Sequence, residues 1–271
     1  MAFVLGGGGD LGANEVGMLR ALLERTIRPD LIVGASVGAL NGAAIAADPS
    51  VDMVNRLEGA WRQLTETGVL GSPLRVAGNL LRGRTHLHSN ERLRQICAAL
   101  LPVRTFEELA IPFQCVAASI EQAAEHWFST GPVIEAILAS SAVPGLLPVM
   151  EVNGEHFLDG GIVNSIPVER AVALGATEVY ILHVGRIERR LEAPKTLYQV
   201  MSVAFEVARR HRFAYDMAHL PDGVVAHVLP TGDDDPGGGM GLRTWDLEAV
   251  MQRMSRAYET TAAYLDRVAL P

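Results

Sequence analysis

Short apolar runs alternate along the chain with segments whose apolar residues recur at helical spacing. Residues 2–5 are uniformly apolar and read as a strand. They lead through a glycine-rich stretch into 13–25, where Val16, Leu19, Leu22 and Leu23 fall on one helical face. The cycle then repeats: Leu31-Ile32-Val33 reads as a second strand, and 37–44 opens a second helix. Helical segments follow at 51–64, at 91–101 behind Ser89 and Asn90 as candidate caps, and at 134–142, ended by Pro144. Others are expected at 169–174, 197–218 and 246–268. Residues 112–120 and 125–129 read as strands joined by Glu121-Gln122-Ala123-Ala124; 178–184 and 223–229 read as further strands. Such alternation predicts an α/β fold, a mostly parallel central sheet flanked by helices. No internal repeat or low-complexity linker divides residues 1–271, which read as a single domain.

Composition narrows the class. With 271 residues, 49% of them hydrophobic and 20% charged, the chain can bury a sizeable core. A formal charge of −8 argues against a general nucleic-acid binder. The two cysteines, Cys97 and Cys115, lie in apolar runs. They read as buried small hydrophobes in a reducing compartment, not as a disulfide framework. The N-terminus lacks a basic stretch before its apolar run, so no signal peptide is expected. The longest near-apolar segment, 133–149, contains Glu135, Pro144 and Pro148 and is no membrane span. The expectation is a soluble, cytoplasmic protein, at most attached peripherally to a membrane. Residues 72–89 mix apolar and basic side chains; a solvated connection is preferred there over a lid or lipid-facing surface. The run Asp233-Asp234-Asp235 lacks the ligand spacing of a calcium loop and reads as solvated, so no metal site is expected.

The chemistry concentrates in three glycine-bearing stretches. Gly34-Ala35-Ser36-Val37-Gly38 is a Gly-x-Ser-x-Gly set between a strand and a helix. In that context the pattern makes a sharp turn that exposes a serine hydroxyl at the carboxyl end of a strand. Gly6-Gly7-Gly8-Gly9-Asp10-Leu11-Gly12 also stands between strand and helix, where backbone amides and a helix N-terminus converge on an anion. Two anions fit. A dinucleotide pyrophosphate suits Gly7-x-Gly9-x-x-Gly12 but calls for an acid at the end of the second strand, which ends in Gly34-Ala35-Ser36. The other is the oxyanion of an acyl-transfer intermediate. Third, Asp159-Gly160-Gly161 follows an apolar run that delivers a carboxylate to a place of close backbone approach. Ser36 needs a base to take its proton. A histidine after Asp159 would follow α/β-hydrolase order, but His183 and His227 fall in strands and His211 in a basic helix, and His219 stands in no glycine-rich loop.

Together and in this order the three motifs resemble the patatin-like phospholipase family. Ala139-Ser140-Ser141-Ala142-Val143-Pro144-Gly145-Leu146-Leu147-Pro148 and Asn164-Ser165-Ile166-Pro167 are similar to that family as well. The resemblance covers roughly residues 2–185; the remainder, 186–271, is not diagnostic. It implies a three-layer α/β/α fold and a serine lipid acyl hydrolase of phospholipase A or esterase type, with no metal and no cofactor. Ser36 would be the nucleophile and Asp159 the proton acceptor, without a histidine. The oxyanion loop would be Gly7, Gly8, Gly9 and Gly12, the elbow glycines Gly34 and Gly38, and Gly160 and Gly161 would complete the aspartate motif. One departure stands out: the family usually has Arg or Lys where this chain has Leu11. Two readings from other classes remain open, a lipid-binding scaffold without turnover and a dinucleotide-dependent oxidoreductase. The partner expected is a lipid or other acyl ester, not nucleic acid; the oligomeric state is open.

Overall fold

A computed structural model describes residues 1–67, 85–185, 187, 190–232 and 246–268. Most of the basic connection within 72–89 and the aspartate run at 233–235 lie outside these residues. The chain begins with β1 (Ala2–Leu5), a single 3₁₀ turn (Gly9–Gly12), α1 (Ala13–Glu24), β2 (Leu31–Ala35), α2 (Val37–Ala47) and α3 (Val51–Thr67). Then come α4 (Glu91–Leu100), β3 (Phe113–Ser119), β4 (Ala124–Phe128), α5 (Val133–Ser140), β5 (Met150–Val152) and β6 (Glu155–Asp159). The last third holds α6 (Gly161–Asn164), α7 (Val168–Ala173), β7 (Glu178–Leu182), α8 (Leu197–Ala218), β8 (Val225–Val228) and α9 (Leu247–Val268).

The sheet order is β5-β6-β3-β2-β1-β7-β8, with β4 also on β3. From β3 to β8 every neighbour is parallel; β4, β5 and β6 add antiparallel pairs at one end. Strands β1, β2, β3 and β7 are buried on both faces, as continuous apolar runs demand, while β8 at the edge is exposed to half-buried. Phe3 and Leu5 join a core with α1, α2, α3, α4, α5 and α9, whereas Ala2 and Val4 join one with α7 and α8. That alternation is the strand period of two, and it makes a three-layer α/β/α arrangement.

The register at β3 places the motif residues. Ala35 of β2 lies opposite Val116, and Asp159 of β6 lies opposite Ala117. Since β4 pairs with Cys115 through Ser119, it must occupy the other edge of β3. β2 and β6 therefore meet head-on along one edge, the first ending where the second ends. The residues leaving those two ends are Ser36 and Gly160, and Asp159 stands between them.

The hydrophobic pattern predicts neither β5, three residues long, nor the single turn of α6. Elements this short carry too few residues for periodicity to show. Both cysteines are buried and unbridged, and burial raises both thiols above their ordinary range, Cys97 to about 12. No described helix is long and apolar enough to cross a membrane.

Candidate active site

Ser36 makes the turn between β2 and α2 at φ 52° and ψ −123°. A side-chain-bearing residue held there costs about 1–3 kcal/mol, so its surroundings must enforce it. Two glycines do so. A Cβ on Gly34 would stand 2.5 Å from the Gly38 carbonyl oxygen, and one on Gly38 would stand 2.4 Å from that of Leu5. Both contacts are backbone on backbone and cannot relax without moving the turn off β1. The Ser36 amide donates to Ser140 Oγ at 2.8 Å, from a side chain wholly buried at the end of α5.

The Ser36 hydroxyl donates to Asp159 Oδ2 at 2.6 Å, across 123 residues of sequence. The other carboxylate oxygen, Oδ1, accepts from the Gly161 amide at 2.7 Å. Asp159 is 1% exposed. Burial pushes its carboxyl up to about 6, although the bonds from Ser36 and Gly161 pull the other way. The Asp159 amide donates to the Ala142 carbonyl and the Gly160 amide to that of Ser140, each at 3.0 Å. Ser140 thus holds Ser36 through its hydroxyl and Gly160, the residue after Asp159, through its carbonyl. Gly160 and Gly161 are needed sterically. A Cβ at 160 would stand 2.1 Å from the Val116 carbonyl oxygen, and one at 161 would stand 2.8 Å from the Phe205 ring.

The glycine loop passes directly beside this pair. A Cβ on Gly7 would lie 3.2 Å from Ser36 Cβ, and one on Gly8 would lie 2.0 Å from Val184 Cγ2. The amides of Gly6, Gly7 and Leu11 donate to the carbonyls of Leu182, Ser165 and Gly8. Gly7 is thus at the site, with its own amide turned to Ser165. Gly12 closes the loop against Val37, and its carbonyl accepts from Asn41 Nδ2 at 3.0 Å. The same Asn41 nitrogen donates to Glu15 Oε2 at 2.8 Å, and Asn41 Oδ1 accepts from Trp61 Nε1 at 3.1 Å. This network is buried, and burial raises the Glu15 carboxyl well above the carboxylate range. Asp10 is paired with Arg253 of α9 at 2.9 Å.

The candidate histidine bases are placed differently. His219 Nδ1 lies 2.7 Å from the Tyr215 carbonyl oxygen, His227 Nδ1 lies 3.1 Å from the Tyr264 hydroxyl, and His211 is exposed on α8. His183 is buried after β7, near Gly6. At 2.6 Å the Ser36–Asp159 contact leaves no room for an imidazole between the two.

Three residues at the site do not stand out in the sequence. Ser140 enters there only as one member of a longer motif, Ser165 Oγ is buried beside Gly7 with no hydrogen-bond partner among the described residues, and Arg209 reaches the loop after β7 from α8. Ser140 alone carries a local signal, a polar residue ending an apolar helix. Among the described residues no group of three or more His, Cys, Asp or Glu is placed to hold a metal.

Residues 3–172 match the family model described as Patatin-like phospholipase. The chain belongs to the patatin-like phospholipase family. Lysophospholipase nte1 of Aspergillus terreus is 30% identical over 189 residues, 69% of this chain and 12% of that protein. Patatin-like phospholipase domain-containing protein 7 of Rattus norvegicus is 29% identical over 187 residues, 68% of this chain and 14% of its own length. The chain thus spans about an eighth of these relatives. Among solved structures, VipD from Legionella pneumophila is 14% identical with a TM-score of 0.49, covering 98% of this chain and 66% of that one. That likeness is too weak to add to the family assignment.

Proposed function

We propose that the chain is a serine acyl hydrolase acting on lipid esters through a Ser36–Asp159 dyad. The observation that carries this reading is the buried 2.6 Å hydrogen bond from Ser36 Oγ to Asp159 Oδ2. As Oγ bonds to the ester carbonyl carbon, its proton passes to Asp159. The carbonyl oxygen becomes an oxyanion beside the glycine loop. Of the expected loop donors Gly7, Gly8 and Gly9, the Gly7 amide already has an acceptor, so Gly8 and Gly9 are the ones assigned to it. Each such donor is worth about 10²–10³ in rate. Collapse breaks the bond to the alcohol, which leaves with the proton from Asp159. Water then attacks the acyl-enzyme, gives its proton to Asp159, and Ser36 departs with that proton restored. An ordinary carboxylate, near 4, is a poor base for this exchange. Burial that lifts Asp159 to about 6 improves the match.

The names of the relatives support a phospholipid or lysophospholipid as the ester. Such a substrate brings the chain to a membrane surface, peripherally. Residues 186–271, which carry none of the motifs, belong in this reading to the same catalytic unit. The test is hydrolysis of p-nitrophenyl butyrate and lysophosphatidylcholine by wild type, Ser36→Ala and Asp159→Asn, with fluorophosphonate labelling. Wild type should turn over and label. Ser36→Ala should do neither, and Asp159→Asn should lose about 10²–10⁴ in rate. Full activity in Asp159→Asn removes the dyad, and a folded wild type that neither labels nor turns over makes the site a lipid-binding scaffold.

A further inference from the structure

The loop that bears the proposed oxyanion donors, residues 6–12, carries no cation of its own, and its Leu11 is buried. A cation is nonetheless present at this place. Arg209, on α8, has a side chain only 3% exposed. Its Nη1 donates to the Val184 carbonyl at 2.8 Å, and its Nη2 pairs with Glu206 at 3.0 Å. Arg209 Nη2 and Leu11 Cδ1 crowd the same side of Gly185, within 3.5 Å and 3.4 Å of where a Cβ there would stand. The held residue matters as much as the charge. Val184 is the residue whose Cγ2 lies against the Cα of Gly8, so close that Gly8 tolerates no side chain. A line of contact therefore runs from Arg209 through the Val184 peptide and side chain to Gly8.

We infer that Arg209 is a positioning residue for the reaction: acting from α8, it fixes Val184 and through it the Gly8 amide, and it brings to the loop the positive charge that Leu11 does not supply. This rests on the proposed hydrolase activity. A guanidinium suits the task because its planar fork can bond a carbonyl and a carboxylate at once and always keeps its charge. Glu206 holds the fork in orientation, and among the described residues Nε has no hydrogen-bond partner. A buried charge with an unused donor is expensive to maintain unless its placement does something. The role needs no contact with substrate, since preorganised amides act by being aimed before charge develops.

The experiment compares wild type, Ser36→Ala, Arg209→Met and Arg209→Lys by p-nitrophenyl butyrate kinetics and by amide hydrogen exchange of residues 6–12. Arg209→Met is expected to lower kcat about 10- to 100-fold with KM nearly constant, the signature of lost transition-state stabilisation. Exchange at 6–12 should quicken while that of β1 and β2 stays as in wild type. Arg209→Lys, which keeps the charge but not the fork, should fall between the two. A kcat within about twofold of wild type in folded Arg209→Met, or unchanged exchange at 6–12, overturns the inference. So does a rise in KM alone. If Arg209→Met does not fold, Arg209→Lys is read by the same two measurements. If wild type and Ser36→Ala hydrolyse equally, the hydrolase reading fails instead, and hydrogen exchange still decides whether Arg209 holds the loop.

Discussion

Asp159 carries the clearest consequence at the scale of single residues. Its carboxyl titrates near 6 in the fold against about 4 in an unfolded chain. A raised carboxyl binds its proton more tightly in the native state. The stability it contributes is therefore full below about pH 4 and is lost as pH rises through 6. With Asp159 as the base of the proposed mechanism, the acid limb of kcat should accordingly rise through about pH 6. Asp159→Asn, which keeps one acceptor for Gly161 and one polar partner for Ser36, should raise Tm at pH 8 and leave it nearly unchanged at pH 4. A Tm gain equal at both pH values would show that burial of the charge is not what raises this carboxyl. Asn41 shows the opposite case, a buried polar group with its partners in place. Asn41→Leu removes a side-chain partner from the Gly12 carbonyl, the Glu15 carboxyl and the Trp61 N–H. A loss of about 2–4 kcal/mol by urea unfolding is expected, from several unmet partners at about 1–3 kcal/mol each. A loss under about 0.5 kcal/mol would mean water replaces the side chain.

Among the elements, α1 and α9 pack closely enough to make a glycine obligatory. A Cβ on Gly17 would stand 2.1 Å from the Met254 carbonyl oxygen and 2.8 Å from the Tyr258 nitrogen. Both are backbone atoms of a helix and cannot rotate away. Gly17→Ala, which gains helix propensity in isolation, is expected here to destabilise by about 1–3 kcal/mol through overpacking. A stabilised Gly17→Ala protein would mean the two helices do not meet in this way. The contact reaches the site through Arg253, which α9 holds against Asp10 of the glycine loop. Element positions are largely legible in the sequence. The span 197–218 agrees with α8 at both ends, and at its start Thr196 and Gln199 form a capping box that fixes the boundary. The motif residues are legible too, since tight turns leave glycine a narrow choice. Ser140 and Arg209 are not, because their meaning lies in a partner more than twenty residues away.

At the scale of the whole molecule, the unreadable part is pairing. Nothing local in Ala117 says that β6 will take over its edge where β2 stops. The meeting of those strands joins residues 123 apart, and contacts of that separation form late in folding. During refolding from urea, esterase activity should therefore return only with the slowest phase seen in far-UV circular dichroism. Activity that leads that phase would mean the pair assembles before the sheet is complete.

The head-on junction has one more consequence. Side chains alternate sides along a strand, so sliding β6 by a single position along β3 would turn the Asp159 carboxyl to the opposite side of the sheet. The slipped molecule would keep its helices, nearly all its ladder bonds and its spectrum, yet be inert. Under the proposed mechanism, turnover would work as a vernier on one strand alignment, sensitive to an error that bulk optical probes would pass over.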